Sequence, residues 1–522
     1  MKGSEKTMSI KPEVQSELQP VKGFSILGFE TSISKFIVFL IGPALYFLML
    51  CLPLGDVTAR GGLGIILWTA WYWGTGVIPS GFCIVVPMLG TAFLPGMDWG
   101  FITKTLIHPT LGMLLGPALI VCMWSRWGFT RRMSLFFLKK VGTSVRAQAV
   151  TWLILATSLS FVAANVVIAI ALTPIALEVL RSVGYNSGQK LIDGKSSMLI
   201  IIAIGIGASL GGFMTPMAGG QAAITWTQLN TTLGYTVPLA LFTSRMVLPV
   251  FLSVIPIVML FGLVFPIDVK KFEGSAEFFE EELKKMGPVT KSEVWGVVIF
   301  LLAIAMPFLE PLWKPYIPEG ISIPPALIFT VITLILAVLP APDKGAKVKP
   351  VEYEPGERLL SKNSFKVFPI QAFLIWPTAM SISILVNQTG ASKLFSNFLG
   401  AYWDMPPFVG VGVFVLFCVL LAQFASDTGA AGILAPVVAF ATVAASQNPI
   451  PWLLMMGYTV NFSYCVPSAT GTLALPIALE GKASWRLPAY GAVCAAACGL
   501  VSWLFWGYVM ANNLTFWQGF GF

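Results

Sequence analysis

Apolar runs recur along the chain from residue 36 to residue 509, separated by short loops that hold nearly all of its charge. A run of about 20 apolar residues crosses the hydrocarbon core of a bilayer as a helix. Runs at 36–54, 62–77, 83–94, 109–124, 246–264, 295–309, 324–339, 367–386 and 487–509, with two more opening near residues 198 and 452, predict about eleven spans. Two further stretches, 147–177 and about 406–445, are longer than one crossing and carry small or polar residues in the middle. The first is bounded by basic segments at both ends, so it predicts a re-entrant hairpin that turns near Ala164 and Asn165. Non-helical backbone at that depth is tolerated only against protein or a water-filled cavity. The short alternating segments of a transmembrane barrel are not seen, and the pattern is that of an all-α polytopic membrane protein.

Two of the spans carry helix breakers. GIGASLGGFMTPMAGGQAAI holds six glycines and Pro216, which predicts a helix broken at about 213–221 within 198–230. SYCVPSATGTLALPIAL, with Pro467, Thr470, Gly471 and Thr472, predicts a second break within 452–479. Broken helices expose unpaired carbonyls and amides, the usual ion and substrate ligands of secondary transporters. The alternative is close helix packing through small residues, but Thr215, Gln221 and Thr225 add polar groups that packing does not need. The stretch LAQFASDTGAAGILAP, residues 421–436, holds Asp427, the only charged residue between Asp404 and Glu480. A carboxylate at membrane depth costs roughly 2.5–3.5 kcal/mol and marks a site or a pathway more often than a structural tie.

Charge sets the sides. The segment SRWGFTRRMSLFFLKKVGTSVR, basic without an acid, predicts an amphipathic helix on the cytoplasmic surface. Basic loops at 126–146, 181–195, 268–293, 343–366 and 480–486 then fall inside, and the charge-poor 391–404, 441–450 and the C-terminus outside. The division is a cytoplasmic tail at 1–33, without a signal-peptide pattern and with a short surface helix; a first half at 34–266 with its hairpin at about 147–180; a solvated cytoplasmic loop at 267–293; and a second half at 294–522 with its hairpin at about 406–445. The first hairpin enters from inside and the second from outside, as an inverted repeat requires.

The composition agrees: 56% hydrophobic, 11% charged and mean hydropathy +0.81. The net charge of +8 resides in loops and needs no nucleic acid. Seven cysteines lie in apolar runs without CxxC spacing, and His108 is the only histidine, so no disulfide framework or histidine-rich metal site is expected. No paired carboxylates, HExxH, nucleophile elbow or P-loop occurs, so neither an enzyme, an ATP-driven pump nor an organic cofactor is expected.

In motif order and spacing, residues 109–511 resemble the divalent anion–sodium symporter family. Its hairpin tips carry Ser-Asn-Thr; here they read Ala164-Asn165-Val166 and Ser426-Asp427-Thr428. GASLGGFMTP and VNFSYCVPSAT resemble its two broken-helix loops, and LVNQTGASKLFSNFLG the approach to its second hairpin. The family's Pro-Pro-Asn elements are replaced by residues 219–222 (GGQA) and 471–474 (GTLA). The resemblance implies a cation-coupled elevator transporter of the cytoplasmic membrane, a homodimer, carrying a small organic anion with sodium or protons. Asn165 with loop carbonyls from Gly212 onward would hold one cation, and Asp427 with Ser426 and carbonyls from Val466 onward the second. Asn165, Thr215, Gln221, Ser426, Thr428, Thr470 and Thr472 are the candidate substrate ligands. The rivals are a cation/proton antiporter centred on Asp427 and a symporter of sulfate or another inorganic anion.

Overall fold

The computed structural model describes residues 23–26, 29–95, 97, 100, 108, 110–185, 193–318, 320–342, 356–398, 405–466, 469–473 and 486–519. Eight of the described helices are long and apolar enough to cross a membrane, and four shorter apolar helices accompany them. Large side chains such as Phe251, Leu263, Leu301 and Phe424 stand exposed on the outer helices. An apolar surface of that kind belongs against lipid rather than water. The protein is an all-α, multi-pass membrane protein.

Each half repeats one order of elements. Thr110–Trp127 ends at Gly128, whose φ of 90° turns the chain sharply into the basic helix Phe129–Val141. The first hairpin follows as Val145–Ser160 and Asn165–Ser182, then the broken helix Lys195–Gly211 and Gly220–Thr227, then Leu239–Met259. In the second half Ile370–Gln388 leads to the surface helix Ala391–Phe398, the hairpin Pro407–Ala425 and Asp427–Ala444, then Pro449–Val460 and Arg486–Ala511. Both returning hairpin helices carry a proline at the same offset, Pro174 at 174 − 165 = 9 and Pro436 at 436 − 427 = 9. The inner elements are the most enclosed: every residue of Pro449–Val460 is buried, and Lys195–Gly211 is buried from Ser196 on.

Three expectations change in detail. The run at 83–94 is a 3-10 turn, Ser80–Ile84, followed by the helix Val85–Ala92. At about 1.5–2.0 Å per residue that falls short of a bilayer core of about 30 Å. The tail ends in two paired strands, Gly23–Ile26 and Phe29–Ser32; the surface helix expected earlier in it lies outside the described residues. The charged 267–293 loop contains the helix Ser275–Met286. Phe279, Leu283 and Met286 recur on one face of that helix and pack inward, with Phe279 fully buried.

Opposite charges tie this helix to the basic helix. Arg131 reaches Glu282 at 2.6 Å and Glu178 of the first hairpin at 2.6 Å, and Arg132 reaches Glu293 at 2.9 Å. Burial pulls the Glu282 carboxyl up, but hydrogen bonds from Lys285 and Arg131 outweigh it and hold it below its ordinary value. Residues 343–355, 399–404 and 474–485, with parts of the expected loops and of the second broken helix, lie outside the described residues.

Candidate functional site

The two hairpins end in tips of the same local design. At the first, the chain turns over residues 161–164 and Asn165 opens the returning helix. The Asn165 backbone N–H donates to the Ala218 carbonyl at 2.8 Å, and Asn165 Oδ1 accepts the Val166 N–H at 2.8 Å. At the second, Ser426 is the turn, with φ 62° and ψ 159°. That region disfavours a side chain by about 1–3 kcal/mol and persists where the surroundings impose it. Ser426 Oγ caps the returning helix by accepting the Gly429 N–H at 3.1 Å. Asp427 Oδ1 accepts the Thr428 N–H at 2.6 Å, as Asn165 does at its tip, and the Thr428 hydroxyl at 3.1 Å. Asp427 Oδ2 accepts the Thr470 hydroxyl at 3.1 Å, and Thr470 and Thr472 share a hydrogen bond of 3.1 Å.

Each tip packs on the loop of the opposite half. A Cβ on Gly220 would lie 2.7 Å from the Thr428 side chain, and one on Gly471 would lie 3.0 Å from Val166. Glycine is therefore what lets the tips close onto the loops. Gly212 serves its own half, where a Cβ would lie 2.5 Å from Asn165 Nδ2. The two broken helices are joined through Asn461. Its Nδ2 donates to the Ser209 carbonyl at 2.7 Å, and its Oδ1 accepts from Gln221 Nε2 at 2.6 Å and from Ser209 Oγ at 3.1 Å. All three side chains are fully buried.

Between the tips lies a cavity of about 50 Å³. Asn165, Val166, Gly219, Gly220, Asp427, Thr428 and Gly471 line one part, and Leu114, Phe373, Ile375 and Trp376 form a wall from two other helices. Asp427 is the only charged residue among this lining. The helices beginning at Asn165, Gly220 and Asp427 all start at the cavity, so the positive ends of their dipoles face it.

The structure thus brings Asn165, Asp427 and Thr428 together, with Thr470 and Thr472 behind the carboxylate. Gly212 sits behind Asn165, and Ser426 acts as a cap. The Val466 carbonyl, half-buried, accepts the Ala469 N–H at 2.9 Å. Two candidates bond away from the cavity: the Thr215 hydroxyl donates to the Phe161 carbonyl at 2.8 Å, and Gln221 holds Asn461. Asn461, Ser209 and the apolar wall were not singled out from the sequence.

Residues 84–512 match the family model described as the sodium:sulfate symporter transmembrane region. The sodium-dependent dicarboxylate transporter SdcS of Staphylococcus saprophyticus is 21% identical over 455 residues, covering 84% of each chain. The transporter of the same name from Staphylococcus aureus strain USA300 is 22% identical over 458 residues, again covering 84% of each. Among solved structures, the YdaH transporter of Alcanivorax borkumensis aligns with a TM-score of 0.49 at 14% identity, covering 87% of this chain and 99% of its own. MtrF of Neisseria gonorrhoeae aligns with a TM-score of 0.44 at 12% identity, covering 90% and 97%.

Proposed function

The chain belongs to the sodium:sulfate symporter family, the divalent anion–sodium symporters that its motifs resemble, and on that premise we propose that it couples the movement of a small organic anion, a carboxylate or a sulfonate, to sodium. The observation that carries this reading is the convergence of two hairpin tips and two unwound loops on one cavity with no Lys or Arg among its described lining residues. An anion there is held by helix N-termini, by N–H and hydroxyl donors and by bound cations. Hard cations want several oxygen ligands. Asn165 with the 212–219 loop and Asp427 with Ser426, Val466, Thr470 and Thr472 supply amide, carboxylate, hydroxyl and carbonyl oxygens, one set per half.

The moving body is the pair of hairpins with the broken helices that Asn461 joins. It slides as an elevator along the apolar wall of Leu114, Phe373, Ile375 and Trp376, which offers few polar groups to hold it. The chain works as a homodimer in the cytoplasmic membrane, with the basic helix Phe129–Val141 on the inside and the C-terminus outside. The test is accumulation of labelled anions by proteoliposomes under an inward sodium gradient, with potassium replacing sodium as the control. Accumulation with sodium alone supports the reading. Uptake indifferent to sodium refutes it, and sodium flux coupled to protons without any anion favours an antiporter.

A further inference from the structure

We propose that the site is built for a monoanion with an apolar or weakly polar remainder, and that Asp427 takes the place of the second negative charge a dianion would bring. This rests on the sodium-coupled reading above and narrows its substrate. Three observations carry it.

The first is the charge balance. Asp427 is 7% exposed and is the one charged group among the described residues that line the cavity, and residues 147–177, 198–230 and 406–473 contain no Lys or Arg. On the reading above, each tip holds one monovalent cation. Two monovalent cations and the Asp427 carboxylate leave one positive charge, which a monoanion neutralises. A dianion would leave one negative charge enclosed without a partner, and an uncompensated buried charge is strongly unfavourable. Were the second tip an amide like Asn165, the same two cations would call for a dianion. The carboxylate therefore sets the substrate's charge.

The second is the asymmetry of the tips. Thr428, whose hydroxyl donates to Asp427 Oδ1, lines the cavity at one tip, and Val166, with methyl groups only, lines it at the matching position of the other. An anionic group meets a hydroxyl at one end only, and that hydroxyl must turn from Asp427 to donate to it; a charged group set against Val166 would lose its hydration without replacement. The third is the wall: Leu114, Phe373, Ile375 and Trp376 give the remainder of the solute an apolar surface. Together these fit a compact molecule with one carboxylate or sulfonate and a short organic body.

The experiment uses the full-length protein in proteoliposomes and follows labelled sodium entry, so that any unlabelled anion can be screened. Propane-1-sulfonate, isethionate and 3-hydroxybutyrate are compared at neutral pH with succinate, malate and sulfate. The monoanions should stimulate sodium entry, with succinate weaker by about a hundredfold, the scale expected for one uncompensated buried charge. In Asp427→Asn the preference between propane-1-sulfonate and succinate should move toward succinate by about the same factor. Because the wild-type panel already discriminates, a poorly folding variant does not rescue the idea. Stimulation of the wild type chiefly by succinate, malate or sulfate overturns the monoanion assignment and leaves anion symport standing. Sodium entry that no anion of either class stimulates overturns both.

Discussion

The two hairpin tips share a backbone design and differ in chemistry. Asn165 and Asp427 each open a helix, each accept the next residue's N–H on Oδ1, and each sit beside a neighbour that rests on a glycine of the opposite half. Yet the first tip ends in a neutral amide followed by Val166, and the second in a carboxylate followed by Thr428. The fold repeats the geometry of the tip; the residues decide how much charge each copy holds. The second copy is also the more constrained, since Ser426 holds a disfavoured backbone conformation and Asp427 collects three hydrogen bonds. Residue 164, which matches Ser426, has φ −52° and no such strain.

Closing the tips is where the largest effect of a single methyl group is expected. Gly220→Ala places a Cβ 2.7 Å from Thr428, and Gly471→Ala places one 3.0 Å from Val166. Overpacking of this kind costs about 1–3 kcal/mol, so Gly220→Ala should lower sodium-driven uptake by roughly thirtyfold and Gly471→Ala by less. Equal losses at both positions would mean that the tips close alike. Next comes Thr470→Val, which removes a donor to the carboxylate. Hydrogen bonds to charged groups are worth about 1.5–3 kcal/mol, so the half-saturating sodium concentration should rise about tenfold. An unchanged sodium dependence would show that the Thr470 contact does not tune the site. The smallest effect is expected for Val166→Thr, which gives the first tip the second tip's hydroxyl. A hydrogen bond between neutral groups is worth about 1 kcal/mol, so the relative uptake of succinate should rise about fivefold; a fall would place Val166 away from the solute.

The breaks in regularity were legible in the sequence. The turn expected near Ala164 and Asn165 spans 161–164, and the break expected at 213–221 leaves 212–219 unwound. Clustered glycine and proline cannot sustain a helix, and that signal needs no tertiary knowledge. Which polar side chains face the cavity was legible only in part: Asn165, Asp427 and Thr428 line it. Thr215 and Gln221 look like ligands in the sequence and prove to bond Phe161 and Asn461. Asn461 gives no signal, because a single amide in an apolar span carries no pattern of its own. Leu114 and Trp376 were illegible for the opposite reason, since apolar residues in membrane helices look alike whether they face lipid or substrate. The helix Ser275–Met286 was hidden by its charge, although Phe279, Leu283 and Met286 carry a helical period.

Whether Asp427 is the charged cation ligand is tested most directly by sodium-driven uptake at two pH values for the wild type, Asp427→Asn and Asp427→Ala. A carboxylate in such a site binds either a proton or sodium, so the wild type should need more sodium at the lower pH. Asp427→Asn keeps an oxygen ligand and should retain part of the uptake while losing that pH dependence. Asp427→Ala removes the ligand and should lower sodium-coupled uptake by about a hundredfold or more, the scale of a broken buried charge pair. Full sodium-dependent uptake by Asp427→Ala would contradict the assignment and leave Asp427 a structural residue tied to Thr428 and Thr470.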